Sequence, residues 1–238
     1  GLTAGIQSLD ENECEKWIEK VQAGNVYVNR TITGAIVNRQ PFGGWKRSSV
    51  GANAKAGGEN YLATLRNWRK LQHFLPMKEQ AVRWWKQIGS QSIDRAGLKT
   101  ESNLQRYRSH ENGILVRIDS GTTKDEIAFL EWIKKELPVK LVYSSPDLIN
   151  GLTNVIVESV DEFVERAVEF NRVRWLSIEA APIFQLLKRG ISCDPRAVAQ
   201  RGDIELSRWF LEQSVSITQH RYGNTNAGPK PRAIGLAS

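Results

Sequence analysis

The strongest constraint on the fold is a regular alternation of apolar runs and amphipathic segments after residue 112. The motifs Thr123-x-x-Glu126 and Ser159-x-x-Glu162 have the capping-box pattern that begins helices. Five short apolar runs are typical of strands: 114–118, 139–143, 155–157, 173–176 and 191–193. Strands that alternate with helices pair in parallel through right-handed crossovers. Residues 112–223 are therefore predicted to form a small doubly wound, mostly parallel α/β domain, with a short helix at 183–188 and a final helix from Glu205 to about Gln219.

Three further segments are predicted from the rest of the chain. Residues 1–62 contain a helix at 11–22 that begins with Asp10 and Glu13, a short strand at 26–28 and then a glycine-rich loop. Residues 63–111 interleave basic residues with tryptophans and are expected to connect the two parts through one or two helices. Residues 224–238 have few apolar anchors and are expected to be a tail.

Composition excludes several classes of protein and leaves one alternative open. The 238 residues carry a net charge of +7, but charged residues of both signs are interspersed. We expect 63–111 to be a partly buried basic face; the alternative is a surface that stacks and binds nucleic acid. No apolar run is long enough for a transmembrane segment. Two distant cysteines are typical of a reducing compartment, so a cytoplasmic protein is expected. A chain that starts at Gly1 and has Met77 as its only methionine is expected to be a piece of a longer protein.

The loop at 40–62, QPFGGWKRSSVGANAKAGGENYL, is the main candidate binding site. Glycine lets a backbone approach a ligand or another backbone closely, and it lets successive N–H groups point at an anion. Ser48, Ser49 and the amides of 50–52 therefore form a candidate carboxylate site. The alternative is a tight loop between packed elements. No G-x-G-x-x-G or P-loop spacing is present, so the glycines do not indicate a phosphate site.

The order of motifs in 1–62 resembles the carboxyl-terminal end of the aldehyde dehydrogenase superfamily. The motifs are G-L-T-A-G at 1–5, A-G-N-V-Y-V-N at 23–29 and P-F-G-G at 41–44, and the later K-A-G-G-x-x-Y at 55–61 is similar to L-glutamate gamma-semialdehyde dehydrogenases. The resemblance implies that Phe42 lines the aldehyde pocket and that Ser49, Val50 and Gly51 bind the α-carboxylate of the semialdehyde. The family usually has a Ser-Gly pair where this chain has Ser-Ser-Val-Gly.

The remainder resembles, more weakly, the carboxyl-terminal region of bifunctional proline utilisation proteins. That resemblance implies NAD as the cofactor of the parent enzyme, FAD in its proline dehydrogenase domain, and the rest of the parent polypeptide as the partner of this chain, with a homo-oligomer as a further option. Two functions follow as alternatives. One is an inactive fragment of an NAD-dependent semialdehyde dehydrogenase; the other is a non-catalytic module that supports assembly or covers a tunnel.

The chemistry of the family requires a cysteine thiolate, and neither cysteine has the expected context. Cys14 lies on the apolar face of its helix, and Cys193 ends a predicted strand. His73, His110 and His220 are scattered without metal-ligand spacing, so no catalytic or metal-binding residue is predicted. The Rossmann-like part has a single glycine in Asp-Ser-Gly-Thr at 119–122, so it is expected not to bind NAD tightly.

Overall fold

A computed structural model describes residues 1–36, 39–49, 54–67, 78–170, 172–221 and 224–225. The strands are β1 (Thr3–Ile6), β2 (Asn25–Val28), β3 (Ile93–Asp94), β4 (Glu101–Arg108), β5 (Ile114–Arg117), β6 (Leu141–Ser145), β7 (Val155–Val157), β8 (Arg172–Trp175), β9 (Ser192–Asp194), β10 (Leu211–Thr218), β11 (His220–Arg221) and β12 (Asn224–Thr225). The helices are α1 (Glu11–Lys20), α2 (Tyr61–Thr64), α3 (Lys78–Trp84), α4 (Lys124–Glu136), α5 (Val160–Arg166), α6 (Ile183–Lys188) and α7 (Gly202–Ser207). Short 3₁₀ helices cover Lys46–Ser48 and Ala167–Glu169. Within these residues, none of the helices is both long and apolar enough to cross a lipid bilayer.

The chain folds into two compact units. The first unit contains Gly1–Leu62, Lys86–Arg108 and Leu211–Ser238, and the second contains Ala63–Trp85 and Ser109–Phe210. These units differ from the four consecutive segments expected from the sequence, because strands far apart in the chain share one sheet. Pairing between distant strands leaves no local trace in the sequence.

A five-stranded mixed sheet, in the order β1-β2-β10-β4-β3, organises the first unit. Strands β1 and β10 both pair in parallel with β2, while β4 runs antiparallel to β10 and β3 antiparallel to β4. Helix α1 begins as predicted, since the Asp10 carboxylate accepts hydrogen bonds from the amides of Asn12 and Glu13. The helix buries Cys14 and Ile18 in the core of this unit. The other buried members of that core are Val26, Val28, Leu104 and Val215.

The predicted helix at 205–219 is wrong. Helix α7 ends at Ser207, and Leu211–Thr218 form β10. The apolar residues of this stretch fit a helical period, but Val215, Ile217 and Thr218 are β-branched and favour a strand. All eight residues of β10 pair with β4, from Leu211 opposite Arg108 to Thr218 opposite Glu101. This ladder, together with β2 on the other side, decides in favour of the strand.

A five-stranded parallel sheet, in the order β7-β6-β5-β8-β9, organises the second unit. The central strand β5 is followed by strands on one side and then on the other, which is the doubly wound arrangement predicted from the sequence. Both predicted capping boxes are confirmed at Thr123 with Glu126 and at Ser159 with Glu162. The hydrophobic core of this unit contains Leu115, Phe163, Val164, Ala167, Phe170, Val173, Trp175, Leu186 and Ile191.

The basic, tryptophan-rich segment is partly buried, as expected. The indole of Trp85 stacks on Phe210 with ring centroids 4.8 Å apart, and Trp84 lies against the same ring at 6.4 Å. Arg106 is buried, and its guanidinium donates to Gln213 Oε1 at 2.7 Å and to Glu19 Oε1 at 2.8 Å. Helix α3 agrees with the expectation of one or two helices in residues 63–111, whereas the eight-residue strand β4 was not predicted. These contacts pack Trp84, Trp85 and Arg106 within the protein; residues 68–77 of the segment lie outside the described residues.

Candidate functional site

The glycine-rich loop is closed at its base by a pair of backbone hydrogen bonds. The amide of Phe42 donates to the carbonyl of Ala56, and the amide of Ala56 donates to the carbonyl of Phe42, each at 2.9 Å. This antiparallel bridge joins the P-F-G-G motif to the K-A-G-G motif. The Phe42 side chain is half-buried at this junction. The two motifs, which ten residues separate in the sequence, are therefore one structural unit.

A buried lysine holds the base of the loop to strand β2. The Lys55 side chain is 1% exposed, and its Nζ donates to the carbonyl oxygen of Gly43 at 2.7 Å and to Asn25 Oδ1 at 2.8 Å. Asn25 Oδ1 also accepts from the Gly43 amide at 3.1 Å, and Asn25 Nδ2 donates to the Pro41 carbonyl at 3.1 Å. Lys55 and Asn25 together fix the backbone of 41–43.

Strand β10 supplies the acidic partner of this lysine. Glu212 is buried; its Oε2 accepts from the Lys55 amide at 3.4 Å, and its Oε1 accepts from Asn60 Nδ2 at 2.8 Å. The Glu212 carbonyl accepts from the Trp45 indole at 2.8 Å. Burial lowers the pKa of Lys55 to about 7 against the opposing effect of Glu212, and burial raises the pKa of Glu212. Burial thus disfavours the charged form of both side chains.

Two of the glycines in this region are required by close packing. A Cβ on Gly24 would lie 2.0 Å from the Gly43 carbonyl oxygen, and a Cβ on Gly44 would lie 2.3 Å from the Ser48 carbonyl oxygen. Either contact is far shorter than any van der Waals distance. The alternative of a tight loop between packed elements thus accounts for these two glycines.

Of the three residues of the predicted carboxylate anchor, the structure describes Ser49. Ser49 is half-buried, and its hydroxyl donates to the Lys46 carbonyl at 3.0 Å. Lys46 has φ of +57°, a left-handed conformation that is strained for a residue with a side chain. Val50 and Gly51 lie outside the described residues. The structure thus brings Phe42 to the base of the loop and describes Ser49 within it, while the roles of all four residues remain predictions.

Lys55, Asn25 and Glu212 were missed as members of this site. In the sequence, Lys55 is simply the first residue of the K-A-G-G motif, and Glu212 falls within the segment predicted to be a helix. A lysine between alanines in a glycine-rich stretch was the available signal. Its partners could not be found, because Glu212 is 157 residues away along the chain.

The crevice at the carboxyl ends of β5 and β8 is the position where doubly wound sheets bind dinucleotides. In this chain the Asp119 carboxylate bridges it. Asp119 Oδ2 accepts from the Ser177 hydroxyl at 2.6 Å and from the Ile178 amide at 2.7 Å, and Oδ1 accepts from the Gly121 amide at 2.8 Å. At the start of α4, the Thr123 amide already donates to Glu126 at 2.8 Å. A pyrophosphate needs free amides and no carboxylate at this place, so these residues do not fit NAD.

The thiols and imidazoles lie where packing explains them. Burial raises the pKa of Cys14, and burial raises the pKa of Cys193 to about 12, so both thiols are protonated at neutral pH. His110 is 3% exposed, and burial followed by the charge of Arg172 lowers its pKa to about 3. His220 is exposed, and its ring lies 3.2 Å from the Thr100 carbonyl. His73 lies outside the described residues.

Comparison with known proteins connects the loop to a family. Residues 1–70 match the model described as the aldehyde dehydrogenase family. The 1-pyrroline-5-carboxylate dehydrogenases of Bacillus mycoides (strain KBAB4) and Bacillus cereus (strain AH187) are each 49% identical to this chain over 63 residues. Those residues are 26% of this chain and 12% of each relative, so the chain matches only a small part of these proteins.

The fold comparison extends over both units. The solved structure of Proline Utilization A from Corynebacterium freiburgense matches with a TM-score of 0.69 and 34% sequence identity. The match covers 93% of this chain and 23% of the other. Residues 1–70 are therefore similar to the aldehyde dehydrogenase family, and almost the whole length of the chain is similar in structure to about a quarter of Proline Utilization A.

Proposed function

We propose that this chain is part of an NAD-dependent L-glutamate γ-semialdehyde dehydrogenase of proline breakdown, to which residues 1–62 contribute the substrate-anchor loop. One observation carries the proposal: the Phe42–Ala56 bridge and Lys55 bring P-F-G-G and K-A-G-G together at the base of a single loop. The relatives that are 49% identical to this chain over 63 residues are named 1-pyrroline-5-carboxylate dehydrogenase. The remainder of the longer polypeptide would be the principal partner of this chain.

The loop would hold the amino-acid end of the substrate. Phe42 would form an apolar wall beside the aldehyde-bearing chain. The Ser49 hydroxyl would exchange its hydrogen bond to the Lys46 carbonyl for one to the α-carboxylate, to which the amides of Val50 and Gly51 would also donate. Hydrogen bonds to a charged acceptor contribute about 1.5–3 kcal/mol each, which is enough to separate an amino-acid aldehyde from a simple one. The closed base matters because a binding loop that is ordered beforehand loses less entropy when the ligand binds.

The reactive groups would come from the rest of the polypeptide. Oxidation of an aldehyde to an acid requires a thiolate nucleophile, and both thiols of this chain are held protonated by burial. Asp119 bridges the crevice of the second unit, so NAD would bind to another part of the longer protein, and FAD would belong to a proline dehydrogenase domain if the parent is bifunctional. This chain alone is expected to be inactive. A cytoplasmic homo-oligomer is the state that we propose for the parent.

The test is an assay of the complete reading frame that encodes this chain. We expect the complete protein to reduce NAD with glutamate γ-semialdehyde and this chain alone to show no turnover. Ser49→Ala should raise KM for the semialdehyde about tenfold and change kcat little, because the lost hydrogen bond serves binding. Ser90→Ala removes a hydroxyl from an exposed position and is the matched control. Turnover by the isolated chain, or no turnover by the complete protein, would contradict the proposal.

The second candidate is a non-catalytic module that supports assembly or covers a tunnel. Its basis is the second unit, where Asp119 closes the crevice and several large apolar side chains are exposed. Ile178 is 74% exposed, Phe184 70% and Leu187 59%. These side chains belong to α6 and to the connection that precedes it after β8, and a partner surface would cover them.

Point changes test this candidate better than a truncation. Deleting everything after Thr100 would remove the whole of β4 and β10 and so disrupt the sheet of the first unit. Phe184→Ser and Ile178→Ser should instead weaken oligomerisation or transfer of the intermediate in the complete protein. Leu148→Ser is the matched control, since Leu148 is 83% exposed in the same unit. Unchanged assembly and unchanged transfer in both variants would remove this candidate.

A further inference from the structure

Lys55 is an expensive residue at its position. An ammonium that is 1% exposed loses its hydration, and the two acceptors that replace water are neutral oxygens. A methionine of similar length would fill the same space without that cost. The lysine therefore contributes something other than burial, and its contacts show what it fixes.

The hydrogen bonds of the Lys55 side chain and amide join the two ends of the loop to each other and to the sheet. Its side chain reaches Gly43 at the start of the loop and Asn25 in β2, while its amide reaches Glu212 in β10. Its carbonyl accepts from the Gly58 amide at 2.9 Å, which begins the turn after the loop. The residue thus sets the separation between the P-F-G-G end and the K-A-G-G end.

That separation determines where Ser49, which the loop carries, can lie. The backbone bridge between Phe42 and Ala56 and the hydrogen bond from Lys55 Nζ to the Gly43 carbonyl lie next to each other at the base of the loop. A loop of this size closed by one backbone bridge can pivot, whereas a second cross-link at its base restricts the pivot. A shift of about 1 Å at a binding group is enough to lose much of its contribution.

We propose that Lys55 is a positioning residue for the carboxylate end of an amino-acid aldehyde, acting by fixing the base of the loop that carries Ser49. This inference rests on the proposed function. Lys55 touches no substrate; it determines selectivity for the carboxylate through the loop. Glu212 from β10 accepts from the Lys55 amide, and Asn60 Nδ2 donates both to Glu212 and, at 2.9 Å, to the hydroxyl of Tyr107 from β4.

The test compares two aldehydes in the complete protein. Lys55→Met should raise KM for glutamate γ-semialdehyde about tenfold or more, because loss of the cross-link misplaces the carboxylate donors. The value of kcat/KM for butanal, which has neither carboxylate nor amine, should change less than about twofold. Lys20→Met removes the same charge from an exposed position of α1 and should change neither. Lys55→Gln keeps one amide donor and should give an intermediate KM, and it serves if the methionine variant does not fold.

The outcomes separate this inference from the proposed function. Equal losses for both aldehydes would make Lys55 merely structural, and an unchanged KM for the semialdehyde would remove its role; either result overturns the inference. No turnover by the unaltered protein refutes the proposed function instead. Hydrogen exchange in this chain then still tests whether Lys55 fixes the base of the loop. Lys55→Met should speed exchange of the Phe42 and Ala56 amides and leave exchange of the Ile114 amide in β5 unchanged. Unchanged exchange at Phe42 and Ala56 would overturn it.

Discussion

Replacing Glu205 by alanine should be one of the most damaging single changes in the second unit. Glu205 is 0% exposed, and each of its oxygens has two partners. Oε1 accepts from Arg174 at 2.7 Å and from the Trp209 indole at 3.2 Å. Oε2 accepts from Arg208 at 2.7 Å and from the Ala199 amide at 2.8 Å. The side chain thus neutralises two buried guanidinium groups and satisfies a backbone donor.

The magnitude follows from what is left behind. Glu205→Ala leaves Arg174 and Arg208 with Asp194 as the remaining buried carboxylate, which also faces Arg172. Removing one partner of a buried ion pair costs about 3–5 kcal/mol, and an unsatisfied buried amide adds to it. We therefore expect a loss of about 4–5 kcal/mol in the free energy of unfolding of the second unit. Glu165→Ala, at a carboxylate that is 71% exposed and paired with Arg189, should cost less than about 1 kcal/mol.

Urea unfolding and hydrogen exchange of the β8 amides give the comparison. Exchange in β8 reports the second unit specifically, whereas urea unfolding of a protein with two units can show more than one transition. We expect the amides of β8 to lose most of their protection in Glu205→Ala and little in Glu165→Ala. If the two variants lost the same free energy, the buried arginines would have to be compensated by something other than Glu205, and the reasoning would be refuted.

Three further predictions concern pH and packing. Burial alone would raise the pKa of Asp194 and of Glu205, but the charge of the neighbouring arginines outweighs it and holds both pKa values below the usual ones. The stability that these carboxylates contribute is therefore full above the ordinary carboxylate pKa and is lost as pH falls through the folded values. Acid titration followed by near-ultraviolet circular dichroism should show this loss, and Glu205→Gln should reduce it. Burial lowers the pKa of Lys55 from 10.5 to about 7, so its effect is a free energy of unfolding that rises with pH across that window, and urea titrations of Lys55→Met should lack this contribution. Gly24→Ala, whose Cβ would lie 2.0 Å from the Gly43 carbonyl oxygen, should cost about 1–3 kcal/mol, against about 1 kcal/mol for Gly34→Ala, which meets no atom within 4 Å but has φ of +84°; equal melting temperatures would contradict this.

Much of the second unit could be read from the sequence because its signals are local. The capping boxes at Thr123 and Ser159 join residues three positions apart, and the strand at 155–157 was predicted with the bounds that the structure shows. Helix α6 was likewise predicted with its observed bounds, since Gly190 ends it. Parallel pairing then follows from the crossover helices.

The candidate site was predictable only in part. The P-F-G-G and K-A-G-G motifs indicated the loop and Phe42 within it, and the Phe42–Ala56 bridge brings the two motifs together. The buried contacts of Lys55 could not be inferred, because they depend on Asn25 in β2 and Glu212 in β10. The sequence around Glu212 satisfies a helical pattern as well as an alternating one, so local preference gave the wrong element there.

The sequence by itself determined the elements whose start, period and end lie within a few residues: α1, the capped helices, the short strands of the parallel sheet and the family motifs of 1–62. The tertiary structure decided the rest, namely that Leu211–Thr218 is a strand between β2 and β4, that Lys55 meets Glu212, and that Asp119 occupies the nucleotide crevice. The physical reason is the same in each case. A backbone group or a buried charge must be satisfied by whichever partner the fold brings within hydrogen-bond distance, and chain proximity does not specify that partner.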